Sequence, residues 1–213
     1  MNDKFFSELK EKIQPNFEQG GSHAFDHTQR VYDLSLKLAK GQAVDIDILK
    51  AVALLHDIAR MKEDCKEVQC HAEHGSEMAE KILEETNFPK EKIERVCYAI
   101  KIHRHSKGIK AETKEAQILQ DADRLDALGA ITIARMFSTG GKINRPIYDS
   151  NKPLGKIHLG YEMESTIHGF YAKILKITPD TFYTEKAKKI AKKRYAFVEK
   201  FLKQFMLEWE GKA

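Results

Sequence analysis

The stretch AVALLHDIAR, residues 51–60, places a histidine and an aspartate side by side at the end of the most apolar helical run of the chain. An ionised carboxylate left unpaired in such surroundings costs on the order of several kcal/mol. An apolar core therefore accommodates His56 and Asp57 only when a cation or another strong partner neutralises the carboxylate. The pair predicts a polar site inside the fold.

The length and charge of the chain are compatible with one buried site. The 213 residues, 42% of them hydrophobic and 32% charged, fit a single domain that can bury most of its apolar surface. The net charge is +4, but acidic and basic residues are interleaved along the chain. Small phosphorylated ligands therefore fit better than a nucleic-acid footprint.

The cysteines and the hydropathy pattern suggest a reducing compartment. The three cysteines are odd in number and no two are separated by two residues, which argues against a disulfide framework and a zinc ribbon. We find neither a signal-peptide core nor an apolar run of about 18 residues. A soluble cytoplasmic protein, unattached to a membrane, is the expectation.

Apolar residues recur at spacings of three and four, as in Val31, Leu34 and Leu38, and no long strict alternation is present. This periodicity predicts an all-α fold, a single-domain helical bundle over residues 1–213. We expect this bundle to have a catalytic core at about 22–137 and C-terminal helices at about 162–208. Helices are predicted near 3–13, 27–40, 46–60, 72–85, 91–104, 114–137, 162–176 and 184–208.

Ligand-type residues recur on the inward faces of three helical segments. If the helices form a bundle, these segments bring two imidazoles and two carboxylates together, from His27, His56, Asp57 and Asp123. Asp126 is also expected to point inward from the same helix as Asp123, so that one of these two acids is a metal ligand and the other supports the ligand. Such a mixed set suits Mn, Fe, Co, Ni, Zn or Mg. The alternative for each histidine is a core residue hydrogen-bonded to a carbonyl.

The order of these motifs resembles a known family. His27 is followed by Arg30 and Val31, the doublet follows Ala53, Leu54 and Leu55, and residues 121–126 read DADRLD. This arrangement, with His71, Gly75 and His103 between, is similar to the signature of the HD superfamily of metal-dependent phosphohydrolases. The resemblance covers most of the chain.

The resemblance implies the same metal ligands and adds two histidines. His71 and His103 match positions that in some relatives hold a second metal or contact phosphate, so one ion is expected and a second is possible. With Asp57 they are the candidate catalytic residues. The glycine, tyrosine, proline motif of the cyclic dinucleotide phosphodiesterases is missing near Gly108. Arg60 replaces the acid that alarmone hydrolases and nucleoside monophosphate phosphatases carry three residues after the doublet.

The closest likeness is to small, single-domain bacterial members of the superfamily. The resemblance of this chain to those members implies nucleotide pyrophosphohydrolase activity, in which a nucleoside or deoxynucleoside triphosphate yields a monophosphate and pyrophosphate. Candidate substrate-binding residues are Arg30, Arg60, Lys101 and Arg145. For the first three, a solvated charge on a helix surface is an equal alternative. Arg145 lies in the glycine- and proline-rich segment 138–160, which is expected to be either a loop over the site or a loop without function.

Other functions remain open from the sequence. The pocket could sense a nucleotide without hydrolysing it, or serve a phosphomonoesterase or phosphodiesterase of the same superfamily. Oxidation at a di-iron centre is known for some relatives. We do not expect nucleic-acid binding through the basic C-terminal helix, since a solvated charged face explains the same lysines. The protein is expected to be a monomer or a homodimer.

Overall fold

The computed structural model describes residues 1–17, 24–104, 107–152, 154 and 164–213. These residues form helices and turns and no β-strand, which confirms the all-α prediction. Contacts divide the chain into two compact units, Met1–Asp123 and Arg124–Ala213. Whether they constitute one domain stays a prediction. Among the described helices, none combines the length and apolar character that crossing a membrane requires.

The first unit is built from α1 to α6 and most of α7. The bounds are α1 Asp3–Ile13, α2 Phe25–Ala39, α3 Ile46–Leu55, α4 Arg60–Asp64, α5 His71–Glu85, α6 Lys90–Ile102 and α7 Lys114–Asp126. Helix α3 packs against α1, α2 and α6, and α5 packs against α4 and α6. All of the predicted helices of this unit exist, with ends within a few residues of the prediction except at the two places described below.

Helix α3 lies at the centre of the first unit because nearly all of its surface is apolar. Asp45 begins the helix by accepting hydrogen bonds from the amides of Asp47 and Ile48, at 3.0 and 3.2 Å. Every residue from Ala51 to Leu55 is fully buried. The burial of this helix fixes the position of the doublet that follows it.

Helix α7 is held to α3 and α6 by polar contacts. The buried carboxylate of Glu115 accepts from the amide of Asp45 at 2.8 Å and from Arg95 at 3.1 Å. Further along, the side-chain amide of Gln120 donates to the carbonyl of Ile102 at 2.7 Å. These contacts place Asp123 at the C-terminal end of α6.

The helix predicted at 46–60 is wrong beyond Leu55. Residues 56–59 form turns, in which the amides of Ile58 and Arg60 donate to the carbonyls of Leu55 and Asp57 at 3.1 and 2.9 Å. These tighter i to i−3 bonds bend the chain. His56 and Asp57 therefore lie at a corner between α3 and α4, where both side chains can point to the same side.

The single helix predicted over 114–137 is also wrong. Helix α7 ends at Asp126, and the chain passes through Gly129, whose φ of +86° disfavours other residues. A Cβ atom at Gly129 would lie 3.1 Å from Cγ of Arg194. Since α8 starts anew at Ala130, Asp126 does not share a stripe with residues beyond the break.

The second unit contains α8 Ala130–Lys142, α9 Thr166–Ala172 and α10 Glu185–Trp209, with 3₁₀ turns at Ile174–Lys176 and Pro179–Thr181. Phe137, Phe170 and Phe201 form its aromatic cluster, with ring centroids 6.0 to 6.1 Å apart. Thr184 begins α10 by accepting from the amide of Ala187 at 3.2 Å. The predicted helix at 184–208 thus exists almost as expected, whereas α9 is much shorter than predicted.

The segment 138–160 is not a loop throughout. Helix α8 continues to Lys142, and Gly140 faces Thr166 so closely that a Cβ atom would collide with the hydroxyl of Thr166. The glycine is therefore an element of helix packing and not a loop signal. Residues 153 and 155–163 lie outside the described residues, and the proposed lid stays a prediction.

We predict opposite effects for alanine at two adjacent glycines of α8. Gly140→Ala forces the Thr166 hydroxyl to move and should lower the free energy of unfolding by about 1–3 kcal/mol. Gly141→Ala meets no atom within 4 Å and should raise it by up to about 1 kcal/mol, through helix propensity. Denaturant titration of both variants tests this. Equal effects would contradict the packing role of Gly140.

Candidate metal centre

Four histidines converge on Asp57 inside the first unit. His27 lies in the first turn of α2, His56 and His103 follow the last residues of α3 and α6, and His71 begins α5. All five side chains belong to residues that are at most 5% exposed. Helix ends from four directions thus bring polar side chains into one buried space.

The main chain fixes the tautomers of two of these histidines. Nδ1 of His56 lies 2.9 Å from the carbonyl oxygen of Ala53, and Nδ1 of His103 lies 2.7 Å from that of Ile100. A carbonyl oxygen only accepts, so each Nδ1 carries the hydrogen and donates it. Each imidazole caps its own helix and, when neutral, keeps a lone pair on Nε2.

A carboxylate fixes the third histidine. Nδ1 of His71 lies 2.7 Å from Oε2 of Glu63, and the same oxygen accepts from the backbone amide of His71 at 2.6 Å. Burial alone would raise the pKa of Glu63, but these hydrogen bonds and the nearby charges of His71 and Arg104 outweigh it and lower the pKa. Glu63 is therefore ionised, and Nε2 of neutral His71 also carries a lone pair.

The Nε2 atoms face one another in two pairs. His71 and His103 are separated by 3.3 Å between their Nε2 atoms, and His27 and His56 by 3.4 Å. In the first pair both atoms are acceptors when the rings are neutral, so they repel unless a proton or a metal ion lies between them. The local hydrogen bonds thus produce a site that requires a cation.

Asp57 serves both pairs, one with each carboxylate oxygen. Its Oδ1 lies 3.3 Å from Nε2 of His71 and 3.4 Å from that of His103. Its Oδ2 lies 3.6 Å from Nε2 of His27 and 3.9 Å from that of His56. The two resulting triads each bring their donor atoms within 4.8 Å of one another.

Asp123 approaches the cluster from α7. Its Oδ1 lies 3.4 Å from Nε2 of His27, and its side chain is 27% exposed, so it is less buried than the predicted stripe suggested. Asp126, which we expected to be a ligand or a support, accepts from Arg135 at 2.8 Å within the second unit. A buried ion pair accounts for Asp126 without a metal.

The donor set fits a divalent cation. Imidazole nitrogens and carboxylate oxygens suit first-row transition metals, and histidines whose second nitrogen is hydrogen-bonded are typical of metal sites. The alternative of a core histidine bonded to a carbonyl describes only the Nδ1 side of His56 and His103. The same ring can therefore be both a core histidine and a candidate ligand, because one nitrogen stabilises the fold and the other faces Asp57.

Burial and charge separate the proton affinities of the histidines. Burial lowers the pKa of His56 to about 4, and burial also lowers the pKa of His71. Burial would lower the pKa of His103 too, but the hydrogen bond and charge of Asp57 outweigh it and raise that pKa. Among His56, His71 and His103, therefore, His103 has the highest affinity for a proton, because it lies near Asp57.

The candidate substrate-binding residues differ in position. Burial would lower the pKa of Arg60, but the charges of Asp57 and its other acidic neighbours raise it, so Arg60 is a fixed positive charge near the cluster. Arg30 donates to Asp26 at 2.7 Å on α2. Lys101 is exposed on α6, and Arg145 belongs to the second unit. The roles of all four stay predictions.

The sequence did not reveal Glu63 and Arg104. Glu63 stands eight residues before His71 in a hydrophilic stretch, and Arg104 donates to its Oε2 at 3.1 Å. No spacing rule predicts a contact between the end of α4 and the start of α5. His23, a candidate support for His27, lies outside the described residues, as do His105 and His158.

Comparison with known proteins identifies relatives across the whole chain. The family model of the HD domain matches residues 24–128. A predicted HD superfamily hydrolase from an uncultured Thermotogales bacterium is 31% identical, with 95% of this chain and 92% of that chain covered and a TM-score of 0.66. An HD-superfamily hydrolase from Bacillus thuringiensis is 29% identical, covers 98% of both chains and has a TM-score of 0.75.

A third relative is the uncharacterized protein YpgQ of Bacillus subtilis. It is 28% identical over 199 residues, which cover 91% of this chain and 88% of YpgQ. The crystal structure of YpgQ in complex with ADP has a TM-score of 0.74 and covers 98% of this chain and 100% of YpgQ. At 24% identity, that structural alignment is evidence for a shared fold.

We predict that metal binding releases a proton from His103. The charge and hydrogen bond of Asp57 raise the pKa of His103 above its ordinary value, so the affinity for Mn²⁺ should rise as pH increases through that raised pKa and then level off. Calorimetric titration in buffers of different ionisation enthalpy counts the proton. His103→Gln should abolish the release; an undiminished release would assign the proton to another group.

A second prediction concerns Asp57→Asn. An amide can donate to an Nε2 acceptor, so at a pH above the raised pKa of His103 the metal-free variant should be at least as stable as the wild type. Mn²⁺ at 100 times its Kd should stabilise the wild type by about 2.7 kcal/mol and the variant hardly at all. Thermal unfolding measures both effects. Asp33→Asn, an exposed substitution on α2, is the control, and full metal stabilisation of Asp57→Asn would contradict the central place of this carboxylate.

Proposed function

This chain belongs to the HD superfamily, and on that premise we propose that it is a divalent-metal-dependent phosphohydrolase acting on a small nucleotide. The observation that carries the proposal is the convergence of Nε2 atoms from four histidines on the two oxygens of Asp57. A buried cluster of acceptors has little structural benefit without a cation. A hydrolytic metal site explains why the fold keeps it.

The proposed ligands are His27, His56, Asp57 and Asp123. The first three bring one donor atom each within 4.8 Å of the others, and Asp123 adjoins His27. Asp57, His71 and His103 form a second triad, which supports a second ion as an alternative to a purely catalytic role. The donor set does not distinguish Mn from Fe, Co, Ni or Zn, and Mg accepts fewer nitrogen ligands.

A divalent cation held here supplies a Lewis acid that makes water a nucleophile near neutral pH and draws electrons from a phosphoryl group. The chain contributes the remaining steps. Asp57, fixed at the corner between α3 and α4, accepts a hydrogen bond from His103 and orients the surrounding histidine rings. His71 and His103, which face the other oxygen of Asp57, can hydrogen-bond to the phosphoryl group or its leaving oxygen, while Arg60 offsets negative charge that develops on the phosphoryl group.

A nucleotide is the proposed substrate class. The crystal structure of the relative YpgQ contains ADP, which supports a nucleotide as the ligand of this chain as well. Cleavage of a nucleoside or deoxynucleoside triphosphate to monophosphate and pyrophosphate is the form that the sequence resemblance implies. Orthophosphate as the product would instead indicate a phosphomonoesterase. A nucleotide substrate also fits a cytoplasmic location, which we propose because nucleoside triphosphates are abundant there.

We predict metal-dependent turnover in a panel of nucleotides and phosphodiesters assayed with several divalent ions. His56→Ala and Asp57→Ala should reduce turnover to background while the far-ultraviolet circular dichroism is retained. His74→Ala and Asp33→Asn change the same residue types at less buried positions and should retain activity. Product identification by phosphorus NMR distinguishes pyrophosphate from orthophosphate.

Three outcomes would refute this function. Full activity of either active-site variant would place the chemistry elsewhere. Protection of the protein against heat by a nucleotide, with no product after long incubation with each metal, would identify a sensing module. Consumption of oxygen by iron-loaded protein would indicate oxidation.

A further inference from the structure

We propose that Glu63 is a positioning residue of the metal centre, which holds His71 in the tautomer whose Nε2 lone pair faces Asp57 and His103. The inference rests on the metal-binding part of the proposed function. It concerns a residue outside the expected ligand set, and it assigns to Glu63 a role in orienting a ligand-type side chain without contact to substrate.

The geometry of the contact is specific to one carboxylate oxygen. Oε2 of Glu63 accepts from both nitrogens that His71 presents on this side, the backbone amide at 2.6 Å and Nδ1 at 2.7 Å. Two bonds to the same residue fix the direction of the ring as well as its position. Nε2, the opposite nitrogen, then lies 3.3 Å from Oδ1 of Asp57 and 3.3 Å from Nε2 of His103.

The chain places Glu63 beside the centre through the corner at the doublet. Helix α4 follows the turn at residues 56–59, so Asp57 and Glu63 come from the same short segment, and α4 packs against α5. Arg104, which directly follows His103, donates to Oε2 at 3.1 Å. Glu63 therefore connects α4, the start of α5 and the end of α6 around the cluster.

His71 differs from the two histidines that the main chain orients. His56 and His103 donate from Nδ1 to neutral carbonyls, whereas His71 donates to an ionised carboxylate. A charged acceptor strengthens the hydrogen bond and makes the opposite nitrogen a better donor to a cation. Nε2 of His71 is therefore more electron-rich than Nε2 of His56 or of His103, whose Nδ1 atoms donate to neutral carbonyls.

A purely structural role for Glu63 is the competing explanation. A carboxylate at the amino end of α5 satisfies a backbone amide and interacts favourably with the helix dipole. Such a cap would affect stability without affecting the ring of His71. The two explanations differ in the tautomer, which nuclear magnetic resonance detects directly.

The test uses metal-free protein with ¹⁵N-labelled histidine at about pH 9, where His71 is neutral because burial lowers its pKa. A long-range ¹H–¹⁵N correlation spectrum should show His71 protonated on Nδ1 in the wild type. Glu63→Ala should shift His71 toward the Nε2-protonated form, while His103, bonded to Ile100, should keep its Nδ1 proton as an internal control. Glu63→Gln, whose amide oxygen still accepts, should retain the wild-type tautomer.

Titration with Mn²⁺ supplies the second readout. Glu63→Ala should weaken binding by about 10- to 100-fold, and Glu63→Gln should fall between it and the wild type. The control is Glu73, which lies on the exposed side of α5 and pairs with Lys107. Its variant Glu73→Gln should bind Mn²⁺ like the wild type. If Glu63→Ala fails to fold, the lower Mn²⁺ affinity of Glu63→Gln carries the test alone.

An unchanged tautomer in Glu63→Ala, or wild-type Mn²⁺ affinity in a folded Glu63→Gln, would overturn the proposal and leave Glu63 as a helix cap. Neither measurement uses turnover. If the protein binds Mn²⁺ as expected but hydrolyses no phosphate ester, the proposed function fails while the role of Glu63 stands.

Discussion

The hydrogen bonds from Nδ1 of His56, His71 and His103 are the constraint on which the rest of this structure depends. Each bond commits one ring nitrogen to the fold and leaves the other as an acceptor that faces Asp57. Acceptors that converge in a buried space are unfavourable unless a proton or a metal ion lies between them. The helices are arranged so that their ends, where main-chain carbonyls need partners, meet at this point.

This arrangement explains why the apolar character of α3 and the polar doublet after it belong together. The last five residues of α3 are fully buried and have little freedom to shift, so they form a rigid support for the doublet that follows. His56 and His103 occupy the same position relative to their helices, since each bonds to the carbonyl three residues before it. One side chain thus ends a helix with one ring nitrogen and faces the candidate metal centre with the other, so no separate capping residue is needed.

Much of this could be predicted from the sequence, for physical reasons that also explain the failures. Apolar periodicity located the helices, because burial of one face is decided by side chains close together in the chain. The doublet and His27 were recognisable as polar residues on apolar faces. The break at Gly129 and the packing of Gly140 were missed because they depend on Arg194 and Thr166, which are distant in sequence. Glu63 was missed for the same reason, since its partners come from α5 and α6.

Under the proposed function, the two sides of Asp57 are suited to different tasks. His56 has a pKa of about 4, so it offers a neutral nitrogen at physiological pH and a cation on that side displaces no proton from it. His103 holds a proton because Asp57 outweighs its burial. A cation shared by His27, His56 and Asp57 would weaken the attraction of Asp57 for that proton, because the carboxylate charge is then partly neutralised. A cation on one side would therefore lower the proton affinity of the other, so that the single carboxylate of Asp57 would couple metal binding to the protonation of His103.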